Sequence, residues 1–172
     1  MTWREITENP ILANLPYKIE TNEFGQVVMS PAKAMHGLFQ GVIQNLLTHL
    51  IDGGQTMPEA PIETRLGVKV ADVAWLSKDF LLAHLEEDAF SAAPELCIEV
   101  ISPTNTQKEI TQKRKLYFEA GASEVWTCAL TGQIRFYSVA GELEQSSLTP
   151  KFPKMISVFQ NIATSKKKRP KI

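Results

Sequence analysis

The chain has 172 residues, 44% apolar and 22% charged, with a formal charge of −1. That composition excludes disordered and collagen-like chains, and no apolar run reaches the roughly 20 residues of a membrane-crossing helix. With no secretory signal before Met1-Thr-Trp-Arg-Glu5, a cytoplasmic protein without a membrane partner is expected.

The charge is uneven. The tail Lys166-Lys-Lys-Arg-Pro-Lys171 holds five of the 18 basic residues, which leaves 13 against 19 acidic ones, a body of −6. Such a body binds nucleic acid poorly without help, and Lys166, Lys167, Lys168 and Arg169 are the candidate phosphate contacts of a disordered tail. Residues 1–164 are expected to form one domain and 165–172 the tail.

In chain order, a short helix is expected from Glu5 to Asn14, ending before Pro16. Tyr17–Glu20 and Gln26–Met29 flank Asn22-Glu-Phe-Gly25 and read as a β-hairpin. Met35, Leu38, Phe39, Val42, Ile43, Leu46, Leu47 and Leu50 recur at spacings of three and four, the pattern of an amphipathic helix. Pro31 precedes it and Gly53-Gly54 follow it.

Extended segments are expected at Gly54–Met57, Ile62–Leu66 and Lys69–Leu76, then a short helix at Lys78–Leu85 and a loop at Glu86–Ala93. Pro94 to Pro103 bounds an apolar strand, and a helix runs from Gln107 to Ala120, stopped by Gly121. Strands at Glu124–Ala129 and Gln133–Val139 are joined by the turn Leu130-Thr-Gly-Gln133; Gly141 marks a further turn, and Met155–Ile162 a terminal element. The strand–helix–strand unit around Glu99 and Trp126 predicts a parallel pair. The fold class is therefore α/β or α+β with a mixed sheet. Cys97 and Cys128 lie in apolar runs without zinc-type spacing and are expected as buried thiols.

Two acids interrupt apolar strands: Glu99 in Leu96-Cys-Ile-Glu-Val-Ile101 and Asp72 in Val70-Ala-Asp-Val-Ala-Trp75, each expected near a strand end. Burying a carboxylate costs several kcal/mol unless a cation or donors compensate it, so the pair points to a metal site. The bland readings are a structural ion pair of Glu99 with Lys113 and a turn-capping Asp72.

The run Glu99-Val-Ile-Ser-Pro103, with Lys113, Tyr117, Ala120-Gly121 and Glu124-Val-Trp126, resembles the Uma-type restriction endonuclease family of bacteria, within the PD-(D/E)XK nucleases. The resemblance extends to Asp72, His36 and Glu20, and covers roughly Tyr17 to Tyr137. It implies a restriction-endonuclease-like mixed sheet flanked by helices behind an N-terminal hairpin. It also implies a nuclease hydrolysing DNA with Mg²⁺ or Mn²⁺, and a homodimer. Asp72, Glu99, Glu20 and the Val100 carbonyl would be metal ligands, in keeping with the oxygen preference of these ions. Lys113 would orient or activate the attacking water or stabilise charge on phosphate, with His36 and Tyr117 in support.

The chain departs from the parent pattern where Ile101 stands in place of a lysine. The Uma-type family carries its lysine on the following helix, where Lys113 stands. On that helix Lys113 shares a face with Ile110 and Tyr117, and Lys115 is turned away. Ala71 replaces a common proline and Glu109 a common aspartate; Ser102, Pro103 and Thr104 are expected at the helix entry. The competing reading is a catalytically inactive module on the nuclease fold, binding nucleic acid or protein; a third is a purely structural protein.

Overall fold

The spacing of Phe39, Ile43 and Leu47 produces helix α2, Ala34–Leu50, with those three side chains buried. They pack on Val73, Trp75, Leu96, Ile98, Val100 and Trp126 of a central sheet. Each such Ile or Leu contributes about 1.5–3 kcal/mol by leaving water. The computed structural model describes residues 2–159, apart from 13, 32 and 104. The expected basic tail, with Lys166, Lys167, Lys168 and Arg169, lies outside the described residues, as does the end of the Met155–Ile162 element.

The sheet has six strands in the order β3 (Gly54–Thr64), β4 (Gly67–Ser77), β5 (Leu96–Ile101), β6 (Glu124–Ala129), β7 (Ile134–Ser138) and β8 (Gly141–Leu143). Helix α3 (Lys78–His84) follows β4, and helix α4 (Gln107–Glu119) links β5 to β6, which run parallel as expected. All other pairs are antiparallel. Alternate residues of β5 serve the two faces: Leu96, Ile98 and Val100 join α2, while Cys97 joins a second core containing Tyr117, Ala74, Leu76 and Val125. Layers on both faces explain why β4, β5 and β6 read as nearly continuous apolar runs. Both cysteines are free and buried, and burial pushes the Cys128 thiol up to about 12.

Three boundaries differ from expectation. Helix α1 spans only Trp3–Thr7, because Thr2 and Glu5 close a capping box one turn earlier and the helix ends at Glu8. The two segments expected between Gly54 and Leu66 are one strand, β3. It runs through Pro58 and Pro61 because it lies at the sheet edge, where a missing N–H costs no ladder bond. The entry to α4 is capped by Thr106, whose hydroxyl accepts the Glu109 N–H in a capping box; Ser102 is not its cap, and Thr104 lies outside the described residues.

The hairpin of β1 (Tyr17–Thr21) and β2 (Val27–Pro31) forms its own two-stranded sheet. It docks on the start of β4. The Thr21 hydroxyl accepts the Val68 N–H at 2.8 Å, and Glu20 Oε1 accepts the Val70 N–H at 3.0 Å. Gly67 makes this approach possible: at φ 85°, a Cβ there would stand 2.5 Å from the Asn22 carbonyl oxygen. The docking carries β1 side chains over the sheet.

Candidate active site

Strands β4 and β5 pair through Val73↔Ile98, Ala74↔Cys97 and Trp75↔Leu96, and the ladder stops there. The next rung would be Asp72 opposite Glu99. Like charges directly opposed are unfavourable, and both acids are buried, with Asp72 1% and Glu99 5% exposed. The strands part at this point, and groups from three other elements enter the gap. Asp72 is thus in the middle of β4, not near its end. Its position comes from register and not from a turn.

Helix α4 compensates Glu99. Ile110, Lys113 and Tyr117 share its sheet-facing side, as their spacing requires. The Tyr117 hydroxyl donates to Glu99 Oε1 at 2.6 Å, and Lys113 Nζ reaches both Glu99 oxygens at 3.2 and 3.1 Å. The same ammonium stands 2.6 Å from Glu20 Oε1 on the hairpin. Lys113 therefore bridges two carboxylates from different sheets. Its neighbours point elsewhere: Lys115 is exposed near Glu119, and Arg114 lies over the Tyr137 ring at 3.7 Å.

Asp72 is compensated from β1, α2 and β5. Its Oδ2 accepts the Val100 N–H at 2.7 Å, with His36 Nε2 2.9 Å away. Its Oδ1 pairs with the Lys18 ammonium. Its backbone carbonyl accepts Gln40 Nε2 at 3.1 Å. That amide also donates to Glu59 Oε1 at 2.5 Å, and Glu59 Oε2 lies 3.9 Å from Lys18 Nζ.

The electrostatics follow this wiring. Burial alone would raise the Asp72 carboxyl, but Lys18 and His36 hold it well below the usual range. Glu20 is also lowered against its burial, mainly by Lys113 and Lys18. Glu99 goes the other way: burial raises it, Asp72 and Glu20 add to the rise, and Lys113 does not cancel them. Burial would lower both lysines, yet the surrounding carboxylates raise them, so both stay ammonium ions at neutral pH. The Tyr117 hydroxyl is pushed well up and stays protonated.

These residues line a cavity of about 900 Å³ bounded by the hairpin, α2 and α4. Every sequence-selected residue of the body is there or at its wall: Glu20, His36, Asp72, Glu99, Val100 and Lys113 line it, and Tyr117 holds Glu99 from beneath. Three participants were not anticipated: Lys18, Gln40 and Glu59. Period-two alternation would have found Lys18, because it shares a strand face with Glu20. Gln40 is one turn beyond His36, on the helix stripe that continues to Ile43 and Leu47. No sequence signal marks Glu59.

As donors, carboxylates suit a hard divalent cation; the cavity lining holds Glu20, Glu59, Asp72, Glu99 and Glu109 against Lys18, Lys33, Lys69 and Lys113, a formal −1. Among the described residues, however, no three His, Cys, Asp or Glu side chains converge on one point. The ammonium groups stand between the acids.

A mixed sheet flanked by helices, with opposed acids where two central strands part, defines a restriction-endonuclease-like protein. The chain belongs to the Uma2 family, described as "Putative restriction endonuclease", whose model matches residues 11–159. Its fold is similar to that of a solved structure from Anabaena variabilis, described as "a putative nuclease belonging to DUF820". The TM-score is 0.65 at 14% identity, covering 95% of this chain and 98% of that one. No curated protein matches the chain. No helix among the described residues is long and apolar enough to cross a membrane.

Proposed function

We propose that this protein is a metal-dependent endonuclease that hydrolyses phosphodiester bonds of DNA in the cytoplasm, with two copies pairing to cut both strands. The observation that carries the reading is the opposed pair Asp72 and Glu99 at the parting of β4 and β5, inside a cavity with a surplus of carboxylates.

Asp72, Glu99 and Glu20, with the Val100 carbonyl, would hold Mg²⁺ or Mn²⁺. The ion supplies a Lewis acid for the phosphoryl oxygen and a hydroxide source near neutral pH. Val100 already meets Asp72 through its N–H, which fixes the orientation of that carboxylate. His36 steadies the same oxygen, and Tyr117 steadies Glu99. Lys113, an ammonium facing both Glu99 and Glu20, acts as a proton-bearing donor. It orients the attacking water and stabilises negative charge growing on the phosphate.

Incubation of supercoiled plasmid with Mg²⁺ tests this. Wild type nicks or linearises the plasmid, and Lys113→Met cuts at least about 100-fold more slowly, the usual cost of losing one such donor. Equal cutting by both removes Lys113 from the mechanism. No cutting by wild type with Mg²⁺ or Mn²⁺ leaves the non-catalytic binding module in its place.

A further inference from the structure

Lys18 has no role in the chemistry derived above, yet it occupies the oxygen that a cation at Asp72 needs. Oδ2 is filled by the Val100 N–H and by His36, which use its two lone-pair directions. Oδ1 has only Lys18 among the described residues. An ammonium and a divalent ion on one oxygen repel strongly in a buried setting. An ion that binds Oδ1 therefore competes with Lys18 for that oxygen.

A second seat exists for it. Glu59 Oε2 lies 3.9 Å from Lys18 Nζ, and Gln40 fixes the other oxygen of that carboxylate. The backbone is shaped to the same end. Glu59 would oppose Asp72 in the β3–β4 ladder, between Pro58↔Val73 and Ala60↔Ala71, but that rung is absent. Glu59 is the only non-glycine residue with positive φ, 50°, among the described residues. Strained backbone of this kind persists where the surroundings hold it, and clusters at functional sites.

We propose that Lys18 is a positioning residue for the cation: its ammonium holds Asp72 Oδ1 in the metal-free protein and moves to Glu59 when a divalent ion takes that oxygen. This rests on the metal-dependent reading given above. Lys18 keeps Asp72 aimed into the cavity while no ion is bound. Glu59 then prevents the displaced charge from facing the ion unpaired.

Calorimetric titration with Mn²⁺ of the full chain and three variants tests it. Lys18→Gln, which leaves a neutral donor to Asp72, tightens Mn²⁺ binding by about tenfold or more, since a competing charge is gone. Glu59→Gln, at a half-exposed side chain, weakens it severalfold. In the double variant the Glu59 change has no further effect, because Glu59 acts through Lys18. Binding to Lys18→Gln no tighter than to wild type overturns the proposal while leaving the metal site standing. An undiminished Glu59 effect in the Lys18→Gln background overturns the exchange between the two acids. Absence of heat from every form, with cooperative thermal unfolding intact, overturns the metal reading itself.

Discussion

Two groups of buried acids stand on this sheet, and they are neutralised by opposite means. Glu124, 2% exposed at the start of β6, accepts three N–H groups: Ser147 at 2.6 Å, Leu148 at 3.1 Å and the Trp126 indole at 2.7 Å. Backbone and a packed ring hold those donors, so the carboxylate straps the C-terminal loop to the sheet. Asp72 and Glu99 lean on the tips of lysines from β1 and α4, and on a tyrosine and a histidine. Fixed dipoles make a clamp. Charged side-chain ends can yield to another cation, and that difference separates the candidate site from the architecture.

The comparison breaks first, and by most, at Glu124. Glu124→Ala leaves the buried Trp126 indole and two part-buried N–H groups without their acceptor and lowers unfolding free energy by about 3 kcal/mol in urea titrations, while Mn²⁺ binding stays as in wild type. A change in metal affinity would merge the two regions. Next in size is the acid limb of stability. Asp72 is held below its unfolded value of 3.8, so its contribution is complete above that pH and is lost as pH falls toward the native value. Wild-type stability then drops by about 1.4 kcal/mol per pH unit for this proton, and Asp72→Asn flattens the limb by that amount. An unchanged slope would mean that Lys18 and His36 do not hold the charge.

The smallest effect is expected at Glu99. Its raised pKa marks a charge that burial penalises, and Glu99→Gln relieves that penalty. The amide oxygen still accepts from Tyr117, and Lys113 keeps Glu20. Stability shifts by no more than about 1 kcal/mol, because Lys113 keeps Glu20 and is not left as an uncompensated buried charge, while plasmid cleavage is lost. A destabilisation as large as that of Glu124→Ala would make Glu99 a second structural clamp.

The parts of the fold carried by periodicity were legible in the chain: α2 from its three-and-four spacing, the parallel β5–β6 pair from the strand–helix–strand unit, and the Lys113–Tyr117 face of α4. Glu124-Val-Trp126 was one part of the family resemblance that runs from Glu99, but its structural meaning, indole to carboxylate, needs the ring orientation. Boundaries failed where a competing rule decided. The gap expected between Met57 and Ile62 holds Pro58 and Pro61, and an edge strand tolerates both. The Thr2–Glu5 capping box moved α1 toward the N-terminus.

Within the site, acids in apolar strands stood out because burial makes them costly. Lys18, Gln40 and Glu59 did not, because polar residues on a hairpin, a helix start and an edge strand are ordinary in themselves. Their proximity to Asp72 depends on the docking of the hairpin over Gly67 and on the missing Glu59 rung, both of them long-range facts.

Mn²⁺ titration of wild type and Asp72→Asn, with Glu124→Gln as the control for a buried acid outside the site, tests the central claim most directly. Saturable binding by wild type and by Glu124→Gln, with none by Asp72→Asn, is the predicted result. Equal binding by wild type and Asp72→Asn, or none by wild type, would contradict it.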